Sequence, residues 1–170
     1  GDNSGSWGTV TNTNLTLIGE ALGYGAQQVF GSDANATTTV ADGAADPARA
    51  MYFKVTSAGN LTATRTMTIA PNTVSRLMFI ENATSGSQSI AVSQGSGANV
   101  TIPAGDVKVI YTDGAGSGGA VVDAFASLSV VDLNVSGAVD IDGAVQIDNT
   151  LTVGVDDTGY DVKFFGATAS

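Results

Sequence analysis

Residues 51–112 read MYFKVTSAGNLTATRTMTIAPNTVSRLMFIENATSGSQSIAVSQGSGANVTIPAGDVKVIYT, and the fold turns on this string. Six stretches in it alternate apolar and polar residues with the two-residue period of a half-buried strand: MYFKVTS, RTMTIA, SRLMFIEN, QSIAVSQ, ANVTI and DVKVIYT. Phe53 shares a face with Val55, Met67 with Ile69, Ile90 with Val92, and Val107 with Val109 and Tyr111. Between them stand turn signals: SAGN, APNT, TSGS, GSG and PAGD. Pro71 and Pro103 fall at strand edges or turns, where a missing N–H donor does little harm. Short strands with a turn about every ten residues predict an antiparallel β-sandwich or small barrel over residues 32–126.

Toward the carboxyl end, after the glycine-rich break GAGSGG (114–119), the pattern changes. From Leu133 to Gly154 the chain aligns in sixes as LNVSGA, VDIDGA, VQIDNT and LTVG. The first and third positions of each unit are aliphatic: Leu133 and Val135, Val139 and Ile141, Val145 and Ile147, Leu151 and Val153. The fifth position holds Gly137, Gly143 and Asn149, residues that tolerate a left-handed backbone. A three-residue strand followed by a turn, repeated every six residues, predicts a β-helical shaft over 127–154. Eight aliphatics in one chain bury too little surface to offset the ordering of that backbone. Several chains sharing one apolar axis would bury more, so the expectation is a homotrimer with these eight residues on its axis. A single-chain β-helix is the alternative, and two ordinary hairpins of the preceding sandwich are the plainer one.

Toward the amino end, residues 1–31 read GDNSGSWGTVTNTNLTLIGEALGYGAQQVFG. Thr13 reads as an N-cap, Leu15, Ile18 and Leu22 follow at helical spacing, and Gly23 stops the run. Gly19 inside it disfavours the helix. One short amphipathic helix offers a narrow apolar stripe that must dock on something else. The fold class expected is therefore all-β with a short N-terminal helical docking segment.

Charge and composition narrow the function. The chain carries 16 acidic and 6 basic residues, a net charge of −10 that would repel a phosphate backbone, so nucleic acid is not an expected partner. Eight Asp from Asp123 onward, against Lys163 alone, supply most of that charge. No apolar run reaches the roughly 20 residues a membrane span needs, so no membrane insertion is expected. Absence of Cys and His excludes a cysteine nucleophile, a thiolate zinc site and a histidine base. Asp is plentiful, yet the only glutamates are Glu20 and Glu81, and 6% aromatic residues suggest no sugar cleft, so the chain is not expected to be an enzyme. No cofactor is expected. Asp140-Ile141-Asp142-Gly143 looks like the start of a calcium loop but lacks the later ligands, and it reads as a solvated strand face. GAGSGG has no following Lys or helix and reads as a hairpin turn or hinge rather than a phosphate loop. Trp7, the only Trp, reads equally as a plug for the adjacent sheet or as an aromatic anchor in a partner's pocket.

The stretch GDNSGSWGTVTNTNLTLIGEAL, with Gly1, Gly5, Trp7, Gly8, Thr11, Asn12 and Asn14 in a G-x-x-x-G-x-W-G-x-x-T-N-x-N arrangement, resembles the amino-terminal segment of tail-fibre-like virion proteins of marine bacteriophages. Residues 62–114 are similar to the same proteins, and SGAVDIDGAVQIDNTLTVG resembles their VDG-type shaft repeats. The closing DDTGYDVKFFGATAS, 155–170 with the residue before it, is similar to a segment leading into further repeats, and both chain ends read as cuts from something longer. The resemblance implies a trimeric appendage of the virion, extracellular, held to a phage tail protein at its amino end and reaching a host surface receptor through a more distal part. Trp7, Gly8, Asn12, Asn14, Leu15, Ile18 and Leu22 would then be the virion-docking residues. A capsid decoration protein and a bacterial surface adhesin or filament subunit are the alternatives.

Overall fold

The computed structural model describes residues 5–154. The chain divides into two compact units, Gly1–Ser129 and Val130–Ser170.

The first unit opens with a helix, α1 (Trp7–Ala21). Nine strands follow: β1 (Tyr24–Phe30), β2 (Ala36–Thr39), β3 (Tyr52–Ser57), β4 (Arg65–Ala70), β5 (Ser75–Asn82), β6 (Ile90–Ser93), β7 (Val100–Ile102), β8 (Val107–Asp113) and β9 (Val121–Asp123). They form two sheets, β1-β3-β5-β8-β9 and β2-β4-β6-β7. From β1 to β6 successive strands alternate between the sheets, so each of β1 to β4 pairs with the strand two places on. β1 with β3, β3 with β5, β2 with β4 and β4 with β6 are all parallel. Only the last strands close back antiparallel, β7 on β6, β8 on β5 and β9 on β8.

This overturns the all-β antiparallel sandwich. The unit is a small α/β domain with mixed parallel and antiparallel sheets. The strand stretches were legible because alternation reports which residues face the core. Their partners were not, because SAGN, APNT and TSGS carry the chain across to the other sheet instead of folding it back as hairpins. What fixes the parallel stacking is contact between residues about thirty positions apart. Asp33 accepts from the Arg65 Nε (2.7 Å) and from the Thr62 backbone and hydroxyl. The Asn35 side-chain oxygen accepts from the Thr66 backbone N–H (2.9 Å), and the Ser57 hydroxyl oxygen from that of Ser85 (3.0 Å).

One apolar core lies between the sheets. Phe30, Phe53, Val55, Met78, Ile80 and Ile110 enter it from the first sheet, Met67, Ile69, Ile90, Val92, Val100 and Ile102 from the second. Asn82 is wholly buried among them and fully partnered. Its amide donates to the Gln88 and Ile102 carbonyls, each at 3.0 Å, and its oxygen accepts from the Thr84 backbone and hydroxyl. Gly86 shows how closely the corners pack. Its φ is +101°, and a Cβ there would stand 2.2 Å from the Leu61 carbonyl oxygen.

The docking helix is longer than expected at its amino end. Thr13 lies inside it, not at its cap, and Ser6 takes the N-cap position. The Thr and Asn residues of TVTNTN stay exposed, so helix costs them only propensity, and Thr16 donates back to the Asn12 carbonyl (3.0 Å). The carboxyl-terminal stop falls as read, with the Gly23 N–H donating to the Glu20 carbonyl at 3.0 Å.

The second unit corrects the shaft. Among the described residues of 127–154 there is no strand, only irregular backbone with scattered bends. All eight repeat aliphatics, Leu133, Val135, Val139, Ile141, Val145, Ile147, Leu151 and Val153, are 45–72% exposed, so neither a β-helical shaft nor a single-chain β-helix is formed. The side-chain hydrogen bonds among its described residues are local, Gln146 to Asp148 and Thr150 to Asn149. A three-residue strand needs a neighbour for its N–H and C=O groups, and the turns within one chain do not bring one. The segment DDTGYDVKFFGATAS lies outside the described residues, as does Gly1.

Candidate functional site

Three surfaces present themselves: the free side of α1, the repeat of the second unit, and a sheet face that the sequence reading did not single out.

The structure brings together only part of the expected docking set. Trp7, Leu15 and Ile18, with Leu22 at the C-cap, remain 58–70% exposed. Their spacing places them on one side of the helix. Trp7 is therefore no plug for the adjacent sheet. Helix residues that approach the domain are Leu17, Glu20 and Ala21, half-buried near the short 3-10 turn Pro47–Arg49. Asn12 and Asn14 flank that packed side. Asn12 borders a depression with Thr13, Thr16 and Ala45, and Asn14 borders another with Ala21, Asp42 and Arg49. Gly8 is partly covered, with open space around its Cα. The helix buries no residue of its own.

The face missed from sequence is the outer side of the sheet β1-β3-β5-β8-β9. Cross-strand register aligns Tyr24, Tyr52, Phe79 and Val109 in one row, and Leu77, Tyr111 and Val122 in the next. The three rings stack along the parallel strands, with centroids 5.7 Å apart for Tyr24 and Tyr52 and 6.5 Å for Tyr52 and Phe79. Val107, Val109 and Tyr111 do share a face, but it is this outer one; Ile110 and Thr112 turn inward. A signal was present. SRLMFIEN is apolar at both parities, Leu77 and Phe79 against Met78 and Ile80, and a strand apolar on both sides is one expected to be covered on both.

Two of the three charges on this face cancel. Lys54 and Glu81 sit opposite each other and form an ion pair at 2.9 Å. The Lys54 ammonium holds the Glu81 carboxyl below its ordinary range, and the Tyr52 hydroxyl donates to the other Glu81 oxygen (3.0 Å). That carboxylate in turn pushes the Tyr52 phenol up. Asp113, at the strand's end, turns its carboxylate to the Ala115 and Ala120 N–H groups, which lower its pKa. Those bonds close the β8–β9 hairpin around the GAGSGG turn, which carries a short 3-10 segment, Gly116–Gly118.

A depression of about 530 Å³ is bordered by Val40, Asp42, Arg49, Arg76 and Leu77. Its guanidinium groups bond to backbone carbonyls, although the buried Arg49 Nε has no partner. Arg76 donates to the Ala48, Arg49 and Ala50 carbonyls, and Arg49 to those of Ala41 and Ala44. They hold the 41–50 loop in place. Burial, with Arg49 nearby, pushes the Arg76 pKa down. Among the described residues no group of three or more acidic side chains is placed to hold a metal ion, and no helix is long and apolar enough to cross a membrane.

Comparison with protein-family models, with curated proteins and with solved structures finds no match.

Proposed function

We propose that the chain is a non-catalytic structural component of a bacteriophage tail fibre or related virion appendage, assembled as a homotrimer on the virion's outside. One observation carries this reading. Eight aliphatics recur at a fixed six-residue spacing, and every one is left 45% or more exposed in a single chain. Random surface does not place its apolar residues periodically, and a contiguous exposed apolar series marks an interaction surface. Identical copies covering one another's repeats meet that demand, because the repeat is its own complement in spacing. The exposed stripe of Trp7, Leu15, Ile18 and Leu22 suits attachment to a tail protein, and receptor contact belongs to a more distal part.

Sedimentation equilibrium on the full chain tests the assembly. A mass near three times 16.9 kDa is expected, and Ile141→Asp should shift it toward the monomer by placing a charge among the shared aliphatics. A wild-type chain that stays monomeric, or an Ile141→Asp variant that associates as well as wild type, would refute the reading.

A further inference from the structure

From the two outer sheet faces of the first unit we infer that the side carrying Tyr24, Tyr52 and Phe79 is a self-association surface, covered by a second copy of this chain.

The two faces differ in kind. Outward positions of β2, β4, β6 and β7 are small or polar, among them Thr37, Thr39, Thr66, Thr68 and Thr101. That side is finished for water. Outward positions of the other sheet hold Tyr24, Leu77, Phe79, Val107 and Tyr111, all 36–64% exposed. Both sheets share one core, so the asymmetry is a property of the outer faces. A row of stacked rings beside one of Leu77, Tyr111 and Val122, on paired strands, is the make-up of an interface centre.

Charge selects the occupant. The chain as a whole carries −10, and copies of it repel wherever those charges meet. On this face the charged side chains are Lys54 and Glu81, which neutralise each other at 2.9 Å, with Asp113 at the rim bonded to its own loop. An acidic chain can therefore meet its own copy here with the like charge confined to Asp113 at the rim. A partner recruited through its basic groups would find no unpaired acid at the centre to engage. The inference shares with the proposed function the idea that copies assemble, but it rests on the first unit alone and does not use the repeat.

The test is the dissociation constant of the full chain, measured by sedimentation for wild type, Tyr111→Glu, Thr101→Glu and Ile141→Asp. Tyr111→Glu is expected to weaken association by roughly 30-fold or more, the loss of one central anchor, while Thr101→Glu on the opposite face leaves it within about 3-fold. Association unchanged in Tyr111→Glu but lost in Ile141→Asp overturns this surface and leaves the proposed function standing. Equal weakening by Tyr111→Glu and Thr101→Glu marks a mere charge effect and overturns it as well. A wild-type chain that is monomeric at about 100 μM overturns both. If Tyr111→Glu does not fold, Leu77→Cys decides: the chain has no other cysteine, so maleimide labelling reports that site alone. At least about 10-fold slower labelling in the associated state than on dilution is expected, and equal rates overturn the surface.

Discussion

At the scale of single residues, Asp33 does most to bind one turn of the chain to the next. The carboxylate sits 2.7 Å from the Arg65 Nε and accepts from two groups of Thr62, across roughly thirty residues of sequence. The Arg65 hydrogen bond, followed by that of Thr62, holds its pKa far below the ordinary 3.8. A carboxyl depressed on folding stabilises the native state above its unfolded pKa, and that stability drains away as pH falls from there toward the folded value. The urea midpoint of wild type should therefore exceed that of Asp33→Asn at neutral pH, and the gap should narrow below 3.8. Glu81, Asp113 and Asp123 are also depressed, so both proteins lose stability in acid; the difference between them isolates Asp33. A gap that does not change with pH would show that Asp33 contributes by packing and not by charge. None of this was visible in sequence. Asp33 stands in GSDANA, which reads as a loop, and its partners are distant in the chain.

At the scale of elements, the sequence states where strands are better than how they pair. Phe53 with Val55, Met67 with Ile69 and Ile90 with Val92 were legible as core pairs, and each is buried. Period-two alternation determines a strand's faces, but parallel and antiparallel neighbours satisfy it equally, so it leaves the sheet order open; Asp33, Asn35 and Ser57 bond across the corners of the order that forms. The helix went the other way. Leu15, Ile18 and Leu22 announced it, whereas its amino-terminal part went unread: Trp7 continues the same stripe, but eight residues before Leu15 and across a run of Thr and Asn. Gly19 is its weak point. It lies in the last turn of α1 with nothing within 4 Å of where a Cβ would go. Gly19→Ala should stabilise the helix by about 0.5–1 kcal/mol through a smaller loss of backbone freedom on folding. Amide exchange along α1 should slow by roughly 2- to 5-fold, with little change in global unfolding, since α1 buries no residue. Unchanged or faster exchange would mean that the glycine serves the helix in some other way.

At the scale of the whole molecule, two features oppose each other: a net charge of −10 and, among the described residues, three exposed apolar surfaces. The repeat and the helix stripe were legible because their spacing is regular, while the sheet face was hidden because its residues are neighbours only after β1, β3, β5 and β8 pair. Opposition of this kind makes a specific statement about salt. The Debye length is about 10 Å at 0.1 M and about 3 Å at 1 M, so added salt screens repulsion between acidic copies. It scarcely touches burial of Tyr24, Phe79 or Ile141. Raising sodium chloride from about 0.05 to about 0.5 M should therefore strengthen association of the full chain, by roughly 10-fold if screening relieves near 1.4 kcal/mol. Sedimentation equilibrium across that range measures it. An assembly held by ion pairs between copies would loosen over the same range, which would place the contacts elsewhere, among the surface charges. Tightening in salt, together with its loss in Tyr111→Glu, is the joint outcome that an apolar interface between like-charged copies requires.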